Sequence, residues 1–187
     1  AGHDLIAQAK TGSGKTAAFA LPLLQRLDAR SFAVQALVMC PTRELAEQVT
    51  QEIRRIARAE DNIKILTLCG GTPIRPQADS LAHGAHVVVG TPGRLMDHIS
   101  RGSLKLDALA TLVLDEADRM LDMGFIDDIN TIAEQIPATR QTVMFSATFL
   151  GHVGRLAQNL LRDPQRIDVA SHTDTHANIE QRLHWAD

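Results

Sequence analysis

The most chemically specific segment of this 187-residue sequence is a glycine-rich loop near its start, Ala9-Lys10-Thr11-Gly12-Ser13-Gly14-Lys15-Thr16. The loop stands between a predicted strand and a predicted helix. Its glycines let the backbone curl so that several N–H groups point at one phosphate, and the helix N-terminus adds a positive dipole end. We therefore predict that Thr11 to Thr16 bind a nucleotide. In this arrangement Lys15 reaches the β- and γ-phosphates and the Thr16 hydroxyl binds Mg²⁺.

A second reactive cluster follows the apolar run Leu112-Val113-Leu114, where Asp115, Glu116 and Asp118 bring three carboxylates close together in sequence. Mg²⁺ prefers one or two carboxylates together with phosphate oxygens and water. We predict that Asp115 holds the metal opposite Thr16 and that Glu116 orients or deprotonates the attacking water. The catalytic set is then Lys15, Asp115 and Glu116. An exposed acidic turn is the alternative, and the phosphate loop in the same chain favours the catalytic interpretation.

Alternating strands and helices must position these residues. Apolar runs and helical periodicity predict strands at 4–9, 36–40, 64–68, 87–89, 111–114, 142–145 and 166–169, and helices at 16–27, 44–59, from 94, 126–135 and 153–161. This order indicates an α/β fold with a mainly parallel, twisted sheet and helices on both faces. The glycine and polar motifs fall where predicted strands end, which is where open parallel sheets bind ligands.

Composition limits how the chain could hold nucleic acid. The net charge is −3, aromatic residues make up 3% and tyrosine is absent, so neither a broad basic surface nor a base-stacking platform is expected. Nucleic acid would have to be held by its backbone, through local arginines, N–H groups and helix N-termini. No apolar run is long enough to cross a bilayer. Cys40 and Cys69 each end an apolar run and are expected to be buried thiols, although a disulfide stays possible.

Further motifs follow in a fixed order: Pro41-Thr42-Arg43-Glu44-Leu45-Ala46, Gly70-Gly71, Thr91-Pro92-Gly93-Arg94 and Ser146-Ala147-Thr148. With the phosphate loop and Asp115-Glu116-Ala117-Asp118, they make essentially the whole chain resemble the DEAD-box RNA helicases, of a bacterial type. The resemblance implies a RecA-like P-loop NTPase domain over 1–169. In that fold the strand ending at Ser146 should lie between the phosphate-loop strand and the Asp115 strand. Residues 170–187 would then form a linker toward a second RecA-like domain, and an adenine-reading segment with a glutamine should precede Ala1.

The resemblance also assigns roles to residues. Those that would hold the RNA sugar-phosphate backbone are Pro41, Thr42, Arg43, Gly71, Thr91, Pro92, Gly93 and Arg94. Asp118, Ser146 and Thr148 would couple the ATP site to the second domain. The physics is compatible with this, since Thr42 and Thr91 precede predicted helices and arginine suits phosphate. For any single residue, a helix cap or a surface ion pair remains the alternative.

The implied function is an RNA-dependent ATPase that uses ATP and Mg²⁺ to remodel or locally unwind RNA duplexes in the cytoplasm, in ribosome assembly or RNA metabolism. Two alternatives come from other classes. Another P-loop enzyme, such as a transporter ATPase, a GTPase or a small-molecule kinase, would share the phosphate loop, but neither Leu-Ser-Gly-Gly-Gln nor Asn-Lys-x-Asp occurs. A non-catalytic nucleotide-binding module would not need Lys15, Thr16, Asp115 and Glu116 together.

Overall fold

A computed structural model describes residues 2–9, 14–59 and 62–168, so the predicted linker at 170–187 lies outside the described residues. The described strands are β1 Leu5–Gln8, β2 Ala36–Met39, β3 Ile65–Leu68, β4 Val87–Gly90, β5 Thr111–Leu114, β6 Gln141–Ser146 and β7 Gln165–Asp168. The described helices are α1 Lys15–Gln25, α2 Arg43–Ile56 with a 3₁₀ turn at Ala57–Ala59, α3 Ile74–Ala82, α4 Pro92–Ser100, α5 Ala117–Asp122, α6 Ile126–Glu134 and α7 His152–Leu160. None of these helices is long and apolar enough to span a membrane.

The described strands form one sheet in the order β3-β4-β2-β5-β6-β1-β7, and each pairing between them is parallel. Strand β6 pairs with β1 on one side and β5 on the other, and Val143 is the register partner of both Leu5 and Val113. The predicted position of the Ser146 strand, between the phosphate-loop strand and the Asp115 strand, is therefore confirmed. Because all strands run the same way, their carboxyl ends share one edge.

Alternate residues of the central strands pack on opposite faces of the sheet, as the two-residue period of a strand requires. On one face Ala36 and Val38 pack with apolar residues of α1 and α2. On the other face Leu37 and Met39 pack with apolar residues of α3 to α7. Both layers are buried, so the sheet is the centre of a three-layer core, with helices on both faces as predicted.

Two helices were not predicted from the sequence. Helix α3 carries Pro76 and is preceded by Pro73, and proline is unfavourable in a helix interior. The structure accommodates Pro76 because the first turn of a helix leaves its N–H groups unpaired in any case. Helix α5 has only six residues, too few for a periodic signal. At its end Met123 is about half exposed, whereas Met120 within the helix is fully buried.

Both cysteines are buried and free, and each lies at the carboxyl end of a strand. Cys40 directly follows β2 and Cys69 directly follows β3. Burial raises the pKa of both thiols, which keeps them protonated near neutral pH. Both thiols pack as small apolar side chains in the core layer that contains α1 and α2.

Candidate nucleotide and RNA-backbone site

The phosphate-loop lysine stands at the junction of β1 and α1. Gly14 adopts a left-handed conformation, φ +73°, and caps α1, which Lys15 begins. A glycine meets this requirement without strain. Lys15 and Thr16 thus lie in the first turn, where the helix dipole favours an anion. The other predicted phosphate ligands, Thr11 to Ser13, lie outside the described residues.

Lys15 meets the acidic strand end across the sheet edge. Its Nζ lies 2.6 Å from Asp115 Oδ1 and 4.0 Å from Glu116 Oε1. Asp115 is fully buried at the end of β5. Burial raises the pKa of the Asp115 carboxyl, and the Lys15 ammonium acts against that rise. The three predicted catalytic residues therefore form one cluster, although Lys15 is a hundred positions from Asp115 in the sequence.

The cluster opens into a cleft of about 380 Å³ between α1 and α2. The phosphate-loop residues Gly14, Lys15 and Thr16 line this cleft together with Asp115. Residues of α2, including Gln51, line its other side. Thr16 and Asp115 thus share one cleft, as the two motifs together predicted.

The chemistry of Asp115 suits a divalent cation. Its Oδ2 is buried and has no hydrogen-bond partner among the described residues. A buried, unsatisfied carboxylate oxygen is costly, and metal coordination is one way to satisfy it. Together with the Thr16 hydroxyl in the same cleft, the donor set is made of hard oxygens. These residues fit Mg²⁺.

Glu116 adopts an unusual backbone conformation. Its φ of 51° and ψ of 54° are left-handed, which a residue with a side chain seldom adopts and which costs about 1–3 kcal/mol. The turn breaks the chain sharply between β5 and α5, with Glu116 as the cap. Its Oε2 accepts from Arg119 Nη1 at 3.4 Å. The strain is localised at the carboxylate predicted to handle water.

The predicted coupling residues lie on the neighbouring segment. Ser146 ends β6, is buried, and donates from Oγ to Thr148 O at 2.6 Å. Thr148 N in turn donates to Ser146 Oγ at 3.3 Å. Thr148 and Asp118 line a common surface cleft with the start of α7. The structure thus brings Asp118 to the Ser146-Ala147-Thr148 segment.

The predicted RNA segments lie on the other half of the same edge, since they follow the adjacent strands β2, β3 and β4. Thr42 caps α2 and its Oγ1 accepts from Leu45 N at 3.3 Å. Thr91 occupies the same position before α4, and Pro92 begins that helix without needing its missing N–H. The N-termini of α2 and α4 therefore lie at the carboxyl ends of the adjacent strands β2 and β4.

Arg43 and Gly71 are direct neighbours. The Arg43 side chain is nearly half exposed, and its Nε lies 2.7 Å from Glu47 Oε1, a contact that raises the pKa of Arg43. Gly71 has φ +79°, and a Cβ placed on it would lie only 3.1 Å from Arg43 Nη1. The glycine is therefore required by its backbone conformation and leaves space for the guanidinium.

Arg94 is held inside the domain more than its predicted role suggested. Its side chain is only 12% exposed, and its Nε lies 3.5 Å from Asp97 Oδ2. Its Nη1 donates to Thr72 O at 3.0 Å and to Gln77 Oε1 at 3.1 Å. A direct contact between Arg94 and RNA stays a prediction, and the observed bonds show that this guanidinium links segments within the domain.

Comparison with known proteins decides the family. The model of the DEAD/DEAH box helicase family matches residues 1–155, which include the phosphate loop, the Asp115 cluster and the Ser146 segment.

The chain belongs to the DEAD/DEAH box helicase family.

Curated relatives agree with that assignment. The chain is 56% identical over 184 residues to the ATP-dependent RNA helicase DbpA of Escherichia coli. The aligned region covers 98% of this chain and 40% of that protein. It is 49% identical over 180 residues to the ATP-dependent RNA helicase CshA of Listeria monocytogenes, covering 96% of this chain and 34% of the relative.

A solved DEAD-box structure supports the fold independently. The crystal structure of a DEAD box protein from the hyperthermophile Methanococcus jannaschii superposes with a TM-score of 0.85 at 42% identity. The match covers 90% of this chain and 46% of that one. The RecA-like DEAD-box fold predicted from the motifs is therefore confirmed. The chain spans less than half the length of each of these DEAD-box proteins.

Gln8 was not predicted as a site residue, yet it contacts the predicted coupling segment. Gln8, the last residue of β1, donates from Nε2 to Ala147 O at 2.9 Å. One residue later, Ala9 N donates to Ser146 O at 3.1 Å. The strand that leads into the phosphate loop is thus bonded to the predicted coupling segment. The available signal was a polar side chain at the end of an apolar strand, directly before a motif.

Proposed function

We propose that this chain is the ATP-binding domain of an RNA-dependent ATPase that remodels or locally unwinds RNA duplexes. The observation that carries the proposal is the convergence of Lys15, Asp115 and Glu116 after the ends of β1 and β5. The three segments that we predict to bind the RNA backbone follow β2, β3 and β4 at the same edge of the sheet. The bacterial relatives DbpA and CshA are named ATP-dependent RNA helicases, which favours the same function.

On this proposal each residue at the nucleotide cleft has a distinct task. Lys15 would hold the β- and γ-phosphates, and Thr16 with Asp115 would hold Mg²⁺, whose charge neutralises phosphate oxygens when it is bound. Glu116, adjacent to Asp115 and less deeply buried, would orient the attacking water and accept its proton. The Arg119 contact to Glu116 Oε2 helps to fix that carboxylate.

The RNA would be held by its sugar-phosphate backbone. The helix N-termini after Thr42 and Thr91 offer N–H groups, Gly71 permits a close approach, and Arg43 adds an exposed charge. Since the net charge of the chain is −3, no general attraction to nucleic acid is added. Binding should therefore be independent of base sequence and sensitive to salt.

The remaining predicted site residues point to a partner domain. Asp118, Ser146 and Thr148 lie at or near one surface cleft, and the relatives are more than twice as long as this chain. We propose that a second RecA-like domain closes on this face and supplies an arginine finger. We further propose that the complete protein acts in the cytoplasm, in ribosome assembly or RNA metabolism.

The test is the rate of ATP hydrolysis with and without RNA, measured on this chain and on the protein extended at both ends. We expect RNA to stimulate the extended protein strongly and this chain hardly at all, because an arginine finger alone contributes ~10³–10⁵ in rate. Lys15→Ala should abolish phosphate binding, because it removes the cation at the centre of the cluster. An extended protein whose hydrolysis ignores RNA would contradict the proposal.

A further inference from the structure

Gln77, on α3, joins the two turns that carry predicted RNA contacts. Its Nε2 donates to Cys69 O at 3.0 Å and to Thr72 Oγ1 at 3.0 Å, on either side of the Gly70-Gly71 turn. Its Oε1 accepts from Arg94 Nη1 at 3.1 Å and lies 2.9 Å from His98 Nε2, both on α4. One amide therefore bonds two segments that leave the sheet from the adjacent strands β3 and β4.

The orientation of this amide is determined by its neighbours. Cys69 O can only accept and Arg94 Nη1 can only donate, so Nε2 must face Cys69 and Oε1 must face Arg94. His98 Nε2 then meets an acceptor and must carry its proton, while Nδ1 lies 2.8 Å from Ser103 Oγ. Burial, and then the Arg94 charge, lower the pKa of His98, which keeps this fully buried ring neutral. The donor and acceptor roles of the Gln77 amide, Arg94 and His98 Nε2 are therefore fixed, while the single Ser103 hydroxyl proton lies within reach of both His98 Nδ1 and His98 O.

The network also closes on itself. Arg94 Nη1 donates both to Gln77 Oε1 and to Thr72 O. A triangle of bonds therefore connects the Gly70-Gly71 turn, α3 and the first turns of α4. The two turns would otherwise be linked through the sheet mainly by Thr91 N, which donates to Leu68 O at 3.2 Å.

We propose that Gln77 is a positioning residue for RNA, which acts through Arg94 and His98 to hold the Gly70-Gly71 turn at a fixed place beside the N-terminus of α4. In that arrangement the N–H groups of both turns present one preformed surface to a single RNA strand. Arg94 stabilises this surface through its hydrogen bonds to Thr72 and Gln77. The inference rests on the proposed function and adds to it a residue outside the recognised motifs.

The test compares Gln77→Met with Gln35→Met in the complete protein. Gln35 is the matched glutamine and directly precedes β2, at the amino end of that strand. Its side chain donates to Asp28 O and Ser31 O and accepts from Asp28 N. Both variants lose internal hydrogen bonds, but only Gln77 lies beside the predicted RNA turns. The readouts are RNA affinity with a non-hydrolysable ATP analogue, affinity for that analogue, and the melting temperature.

We expect Gln77→Met to weaken RNA binding by about tenfold, the equivalent of about 1.4 kcal/mol, with affinity for the ATP analogue changed by less than about twofold. Gln35→Met should lower the melting temperature and leave RNA affinity within about twofold of the unsubstituted protein. Equal losses of RNA affinity in both variants, or none in Gln77→Met, would overturn the inference. Failure of the unsubstituted protein to bind RNA would instead overturn the proposed function, and this inference with it.

A second pair of variants serves if Gln77→Met does not fold. His98→Gln retains an N–H donor at the end of the side chain, whereas His98→Leu removes it. We expect His98→Leu to weaken RNA binding and His98→Gln to restore most of the loss, with similar melting temperatures. RNA affinities that are equal in these two variants would contradict the proposed network.

Discussion

Asp115 and Glu116 are adjacent in sequence, yet their environments differ. Asp115 is fully buried and its Oδ1 lies 2.6 Å from Lys15 Nζ, while Glu116 is partly exposed and its Oε1 is 4.0 Å from the same ammonium. The left-handed backbone at Glu116 separates the two carboxylates at the end of β5. A buried carboxylate with an unsatisfied oxygen suits a metal, and a more exposed neighbour suits proton transfer to and from water.

Glu116→Gln separates binding from turnover. In the complete protein we expect ATP affinity to stay within about twofold and hydrolysis to fall by about 10²–10⁴, because general-base catalysis contributes that much and the predicted metal and phosphate ligands remain. Equilibrium titration with ATP and single-turnover hydrolysis measure the two effects. Glu134→Gln, an exposed substitution at the end of α6, is the control. A parallel loss of ATP affinity would show that Glu116 holds the nucleotide.

At the scale of elements, residues 83–86 connect α3 to β4 and lead the chain into β4. Gly84 lies in this connection with φ +85°, and its N–H donates to Leu81 O at 2.9 Å. The next residue, Ala85, donates to Phe32 O at 3.2 Å. A Cβ on Gly84 would lie 2.6 Å from Phe32 Cβ and 2.7 Å from its carbonyl oxygen.

Gly84→Ala should therefore destabilise the domain by about 2–5 kcal/mol, since about 1–2 comes from the left-handed backbone and about 1–3 from overpacking. Gly102→Ala is the matched control, because Gly102 has φ +70° but an added Cβ meets nothing within 4 Å among the described residues. We expect it to cost only about 1–2 kcal/mol. Urea unfolding of both variants measures the free energies, and equal losses would show that the Phe32 contact relaxes without cost.

At the scale of the whole molecule, the proposed function divides one edge of the sheet between two tasks. The ends of β5, β6 and β1 carry the predicted nucleotide and coupling residues, and the ends of β3, β4 and β2 carry the predicted RNA segments. Asp115 and Pro41 follow the adjacent strands β5 and β2, so the two halves touch at the middle of the sheet. A second domain that closes over this edge would therefore lie against both the nucleotide half and the RNA half.

We predict that ATP and RNA tighten each other only when both domains are present. In the complete protein a non-hydrolysable ATP analogue should raise RNA affinity by about 5–150-fold, the usual range of coupling between sites. This chain alone should show weak RNA binding that is lost at modest salt, with no dependence on the analogue, because it has nothing to close against. Titration of RNA with and without the analogue, on both proteins, measures the coupling. The same tightening in this chain would mean that coupling does not require domain closure.

Local signals in the sequence determined the α/β class, the strand limits to within one or two residues, and the choice of most candidate site residues. The phosphate loop and the Asp115-Glu116 pair are contiguous motifs, and each lies where an apolar run ends. Thr42 was placed before a helix by the periodicity of α2, and the structure shows it as the cap. Such features depend on neighbours within a few residues, so a single chain is enough to predict them.

Tertiary structure decided what depends on contacts between distant residues. Lys15 and Asp115 face each other because β6 inserts between their strands, an order that came from family resemblance and not from spacing. Contact between Arg94 and RNA stays a prediction, and only the folded structure shows that Arg94 also donates hydrogen bonds to Thr72 and Gln77 within the domain. Gln77 carried no signal at all, because its four partners are 5 to 21 positions away along the chain. A buried amide acquires its role only when folding removes water and leaves specific donors and acceptors in reach.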